Sequence, residues 1–197
     1  TVSEQVYIPY GKSYDILKKD IEKLSYINRN NKLYLSLEKA IYELNITEKT
    51  YQVLATELET GEYKISKSGR MIVWQDSLKD EYSAKKLYLM DLSTEEIMGI
   101  EGEKGEYIRA LGFIREDLVY GLADAEDIVI NENDEIDFYM HTVHIQNETG
   151  LILKQYKQED IYVKEAVIEE EMIRLTRAKK VMDGENVHFT TITDDQI

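Results

Sequence analysis

The chain of 197 residues contains no cysteine, and its only proline is Pro9. The first absence removes disulfides, thiolate metal sites and cysteine nucleophiles. The second leaves almost every backbone N–H able to donate, so most of the chain can pair as strands. Phenylalanine is scarce as well, with three against fifteen tyrosines. Tyrosine combines β-propensity with a hydroxyl that can stay wet, which points to sheets with half-exposed faces. No apolar run approaches the roughly 18 residues of a membrane span, and no signal-peptide pattern is present. Direct membrane insertion is not expected.

Basic clusters are also missing. The net charge is −15, from 39 acidic and 24 basic residues. The nearest approaches to a basic patch, Lys18-Lys19 and Arg174 to Lys180, both have acids nearby. Phosphate backbones and anionic lipid surfaces need a basic footprint, so a nucleic-acid partner is not expected. At 43% hydrophobic and 32% charged, the composition is that of a folded, well-solvated protein.

The most informative stretch is Lys86 to Ala123, which reads as successive β-hairpins. Short runs of Leu, Ile, Val, Tyr and Met alternate with polar breaks, the ordinary hairpin signal. The pattern recurs. Second strands of a unit are expected at Leu33–Leu37, Met71–Gln75, Leu118–Leu122 and Met172–Thr176. Third strands are expected at Ile41–Ile46, Leu87–Leu92 and Thr142–Ile145, and fourth strands at Tyr51–Ala55, Ile97–Ile100 and Leu151–Gln155. First strands are expected at Tyr63–Ile65, Ile108–Phe113 and Ile161–Ile168. Four strands every 40–50 residues or so is the signature of propeller blades. A lone four-stranded sheet cannot bury both faces, whereas sheets stacked on one another can. That explains why Met71 to Trp74 is apolar without alternation.

Over roughly Ile21 to Thr176 the chain resembles blades of the TolB-like and related propeller families. The resemblance is carried by Ala40-Ile41-Tyr42-Glu43-Leu44-Asn45, by Lys86-Leu87-Tyr88-Leu89-Met90-Asp91-Leu92-Ser93-Thr94 and by Ile108-Arg109-Ala110-Leu111-Gly112-Phe113. WD40 signatures are missing. The fold expected is all-β, with antiparallel four-stranded repeats arranged as a partial propeller ring; a β-sandwich is the alternative. Three full units and two partial ones fit the length, fewer than the usual closed ring. The chain starts at Thr1 rather than Met and stops at Asp194-Asp195-Gln196-Ile197. The expectation is a single β-repeat domain, 1–197, cut from a longer protein.

Outside the repeat, Val6-Tyr7-Ile8 is expected as a short strand. Tyr14 to Tyr26 fits either a short helix, with Ile16, Leu17, Ile21 and Leu24 on one face, or a lead into the Leu24–Leu37 hairpin, which the reading favours. The acidic stretch Ala123 to Phe138 is expected as a projecting loop with a short strand at Ile128–Ile130. After a turn at Asp183-Gly184, a last strand is expected at Val187–Ile192.

Candidate sites are few. Asn131, Asn133, Asp134, Glu135 and Asp137 place oxygens at close intervals, and Ca²⁺ binds oxygen-rich loops. The run has Ile136 where an EF-hand needs glycine, so a solvated loop is the plainer reading. His141 and His144, three apart on an expected strand, would point to opposite faces and share no metal. Pro9-Tyr10-Gly11-Lys12-Ser13 ends like a P-loop, but Val6 stands where its first glycine would be. No G-x-S-x-G motif occurs, and abundant carboxylates make a glycosidase-like pair uninformative. Asn45-Ile46-Thr47 and Asn147-Glu148-Thr149 match the glycosylation pattern in expected turns.

The function expected is a non-catalytic binding or scaffold domain of an exported or surface-attached bacterial protein, with no cofactor. Its partner would be a protein, peptide or glycan. This step follows the propeller resemblance, and a fold by itself does not give a function. Two alternatives are an accessory propeller of a prolyl-oligopeptidase-like hydrolase and a carboxylate-based glycosidase.

Overall fold

The computed structural model describes residues 6–58, 63–76, 82–131, 133–184 and 186–197. The chain is all-β and propeller-like. Among the described residues it forms three four-stranded antiparallel sheets, one three-stranded sheet and one two-stranded hairpin. The sheets do not close into a ring. The first sheet holds β1 (Ser25–Ile27), β2 (Lys32–Leu37), β3 (Ala40–Asn45) and β4 (Thr50–Ala55). The second holds β5 (Tyr63–Ile65), β6 (Met71–Gln75), β7 (Lys86–Asp91) and β8 (Glu96–Glu101). In both, neighbours in sequence are neighbours in space. The third sheet contains β9 (Glu106–Ile114) and β10 (Asp117–Asp124), then, after the hairpin of β11 (Ile128–Ile130) and β12 (Ile136–Phe138), β13 (Thr142–Gln146) and β14 (Ile152–Tyr156). The fourth is β15 (Ile161–Glu169), β16 (Met172–Asp183) and β17 (Asn186–Gln196).

The continuous apolar runs are explained by packing on two sides. On β6, Ile72 and Trp74 face the first sheet and join a core with Tyr34 and Ile41. Met71 and Val73 point the other way, to Ile108, Ala110, Leu118 and Tyr120 of the third sheet. On β10, Leu118 and Tyr120 join that second core, while Val119 turns to Val163, Ile173 and Leu175 of the fourth sheet. Period-2 alternation therefore supplies two cores from one strand. Trp74, Tyr120, Leu118, Ile72 and Leu87 are all buried, as their mid-strand positions predict.

Turn side chains set the hairpins. Asn45, Asp91 and Asn147 occupy equivalent places between the third and fourth strands of three sheets. Each uses its Oδ1 to accept a backbone N–H two residues on, from Thr47 at 3.1 Å, Ser93 at 2.8 Å and Thr149 at 3.1 Å. The two glycosylation-like triplets are thus members of one repeated Asx turn. Between sheets, Asn28 Nδ2 donates to Leu92 O and to Glu95 Oε1, both at 3.1 Å, and Lys32 pairs with the same Glu95. Ser66 Oγ donates to Glu116 Oε2 at 2.9 Å. These bonds tie the turns of one sheet to those of the next.

Three expectations are corrected. Val6 to Ile8 is irregular, and Tyr7 is 79% exposed, with no strand paired to this segment among the described residues. The segment after it is a helix, α1 (Tyr14–Lys23). Its buried Asp20 accepts the Glu38 N–H at 2.8 Å, the Tyr10 hydroxyl at 3.1 Å and the Lys23 ammonium at 3.2 Å. That tertiary anchor on the β2–β3 turn decides between two local readings. The Ala123 to Phe138 insertion does not project freely. Its hairpin lies against the fourth sheet, where the Tyr139 and Phe189 rings stack at 3.7 Å and Lys164 Nζ reaches Asp137 Oδ2 at 2.9 Å.

Candidate binding surface

Register places Leu33, Leu44 and Tyr51 in one row across the first sheet, and Leu35, Tyr42 and Val53 in the next. Ile27 of β1 pairs with Leu33 and extends the first row. These side chains alternate with Tyr34, Ser36, Ile41 and Glu43, which face the second sheet. The row residues therefore occupy the opposite face. Tyr34 and Ile41 are fully buried, whereas Ile27, Tyr51 and Val53 are 56%, 44% and 42% exposed. The Tyr42 and Tyr51 rings are tilted at 46° to each other, with centroids 6.1 Å apart. The result is a sheet face with the composition of the buried faces between sheets, exposed at Ile27, Tyr51 and Val53 and half-buried at Leu33, Leu35, Tyr42 and Leu44. Exposed apolar area of this contiguous kind marks interaction surfaces.

The other end of the stack differs. On the fourth sheet, Ala166, Ile168, Ile173 and Leu175 face inward. The outward rows are Val167, Arg174 and Gln196, and Glu165 with Thr176. Arg174, Gln196 and Glu165 are exposed, so that face is polar and solvated.

Next to the apolar face, a groove of about 580 Å³ runs between the first and second sheets, lined by Tyr26, Ile27, Asn28, Arg29, Arg70, Ser93 and Thr94. Arg70 is fixed there by Asp91, whose two oxygens each accept its Nε–H at 3.1 Å. Burial alone would raise the Asp91 pKa. The Arg70 and Ser93 hydrogen bonds outweigh that effect and bring it down to about 2. The groove wall is therefore a rigid, charged rim beside an apolar surface.

Side-chain oxygens of Asn131, Glu135 and Asp137 are used within the fold. Asn131 Oδ1 accepts the N–H groups of Asn133 at 2.9 Å and Glu135 at 3.1 Å. Asp137 Oδ2 accepts from Lys164 and from the Tyr139 hydroxyl at 3.2 Å. Asp134 sits in the left-handed region at φ 61°, as a β11–β12 hairpin turn requires. Asn131, Asn133, Asp134, Glu135 and Asp137 are thus spread along a turn in which Asn131 holds the backbone and Asp137 reaches the fourth sheet. Glu132 lies outside the described residues. His144 is on β13, with Nδ1 3.1 Å from the Tyr120 hydroxyl and Nε2 3.1 Å from Gln155 Oε1. Burial lowers its pKa. His141 precedes β13 rather than lying on it, and its Nε2 points to Glu106. The two imidazoles make different hydrogen bonds.

Sequence reasoning did not single out the first sheet's open face. In Thr50 to Ala55 the apolar Tyr51 and Val53 lie on the exposed face while Leu54 packs on the core, so local alternation did not mark which face stays open.

No family profile matches the chain, and no curated protein matches it. Among solved structures it is similar to Porphyromonas gingivalis dipeptidyl peptidase 4, at 8% identity and a TM-score of 0.29 over 85% of this chain and 38% of that one. It is also similar to a protein from Lactobacillus plantarum, at 9% identity and a TM-score of 0.35 over 87% and 54%. A third similarity is to the extracellular domain of BT4673 from B. thetaiotaomicron, at 12% identity and a TM-score of 0.26 over 88% and 28%. The chain spans about two fifths to a little over half the length of the first two of these structures.

Proposed function

We propose that the chain is a non-catalytic binding or scaffold domain that engages another protein through the open face of its first sheet. The observation that supports this most is the pair of apolar rows, Leu33–Leu44–Tyr51 and Leu35–Tyr42–Val53, which resemble the surfaces that adjacent sheets bury against each other. A partner presenting an apolar strand or sheet surface would bury the same kind of area, with Arg29 and the Arg70–Asp91 pair at its rim. Tyrosine is suited to this role, because it offers a large rigid contact area with a polar tip. The setting proposed is an exported or surface-attached bacterial protein, which immunoblotting of medium and surface fractions tests.

The binding test is a selection of displayed peptides against the purified chain, with titration calorimetry of the binders recovered. Tyr51→Glu combined with Val53→Glu should weaken them at least about tenfold, a loss of about 1.4 kcal/mol. An unchanged melting temperature would show that the fold survives. Binders indifferent to both substitutions would contradict the surface assigned here.

A further inference from the structure

β9 begins at Glu106, β10 ends at Asp124, and His141 stands one residue before β13. Antiparallel pairing sets Glu106 directly opposite Asp124. The pairing of β10 with β13 brings His141 to the same end of the third sheet. One carboxylate oxygen from each acid and one imidazole nitrogen lie within 4.8 Å of one another. Among the described residues this is the one place where three such groups converge. His141 Nε2 is 3.1 Å from Glu106 Oε1.

Two of the three groups are held from behind. Thr142 Oγ1 lies 2.8 Å from His141 Nδ1, and the Glu103 N–H donates to Glu106 Oε2 at 2.6 Å. A hydrogen bond on the far nitrogen is how metal-binding imidazoles are oriented, with the near nitrogen left for the ion. The Glu106 and His141 side chains are only 15% and 17% exposed, which limits their freedom. Asp124 is exposed, and its carboxylate already lies beside the other two groups.

We propose that Glu106, Asp124 and His141 bind a divalent transition-metal ion of the zinc or manganese class. Two carboxylates and one imidazole suit such ions, with bonds of about 2.0–2.2 Å. Calcium and magnesium favour all-oxygen shells and should bind here more weakly. A dication at this point would neutralise both acids, which face each other across the β9–β10 pair. This site lies on the third sheet and does not depend on the first-sheet reading.

The test is calorimetric titration of the chelator-treated full chain with zinc chloride, manganese chloride and calcium chloride in turn. The expected result is one zinc or manganese site per chain, at least about tenfold tighter than calcium. His141→Ala and Asp124→Asn should each weaken it at least about tenfold. His188→Ala, which removes an exposed imidazole on β17, should leave it unchanged. Asp124→Asn alters an exposed side chain, so its melting temperature serves as the folding control. Cobalt substitution gives a second readout, since ligand-field bands lost in His141→Ala would report the imidazole directly. No stoichiometric binding, or binding equal in all four proteins, would overturn the proposal and leave a plain ion pair.

Discussion

Lys180 Nζ donates to Asp127 Oδ1 at 2.7 Å, across 53 positions of sequence. Asp127 is completely buried, and its second oxygen has no hydrogen-bond partner among the described residues. Burial raises its pKa, and Lys180 works against that shift. This pair joins the insertion to the fourth sheet.

Lys180→Met should therefore destabilise the chain by about 3 kcal/mol, because it leaves a buried carboxylate without its cation. Adding Asp127→Asn should recover part of the loss. Urea unfolding of the two variants measures both. A single variant as stable as the parent would mean that the insertion is not held by this pair.

Acid should weaken the contact at the second sheet. The Asp91 pKa is about 2 in the folded chain against an ordinary 3.8. A depressed carboxylate stabilises the fold above its unfolded value, and the contribution disappears as the pH falls through the folded one. The expected loss is about 2 kcal/mol between pH 4 and pH 2. Asp91→Asn should be less stable at pH 7 and should lose that part of the acid slope. An identical slope in the variant would refute the assignment to Asp91.

Gly121 has no room for a side chain. A Cβ there would lie 1.9 Å from Met140 Sδ and 2.6 Å from its Cγ, and Met140 is itself buried. Gly121→Ala should cost about 1–3 kcal/mol through overpacking, read as a lower midpoint in urea. A neutral effect would show that Met140 has space to move away.

Trp74 stacks on Tyr88 at 5.5 Å between centroids and belongs to the core shared by the first two sheets. Trp74→Ala should cost about 3–5 kcal/mol. A midpoint that hardly moves would place the indole outside that core and break the sheet-to-sheet packing.

Much of the fold was legible because two-sided burial leaves a mark in sequence. Met71 to Trp74 and Leu118 to Leu122 are apolar without alternation, and the turns at Asn45, Asp91 and Asn147 repeat one side-chain device. α1 was harder, because its choice between helix and hairpin depends on Asp20 meeting the Glu38 N–H 18 residues away. The docking of Ala123 to Phe138 was hidden for the same reason. Its acids read as solvated until Lys164 and Lys180 arrive from a later sheet. Glu106, Asp124 and His141 span 35 positions without a motif, and only strand register brings them together. The open apolar face was not legible in β4, where Tyr51 and Val53 face outward and Leu54 joins the core.

The claim that the first sheet keeps an apolar face open is tested most directly by hydroxyl-radical footprinting of the folded chain with mass spectrometry. Tyr51 and Tyr34 sit on opposite faces of one sheet, 44% and 0% exposed. Tyr51 should be oxidised readily and Tyr34 protected, and an added binding partner should then protect Tyr51. Equal protection of the two tyrosines in the isolated chain would contradict an open face.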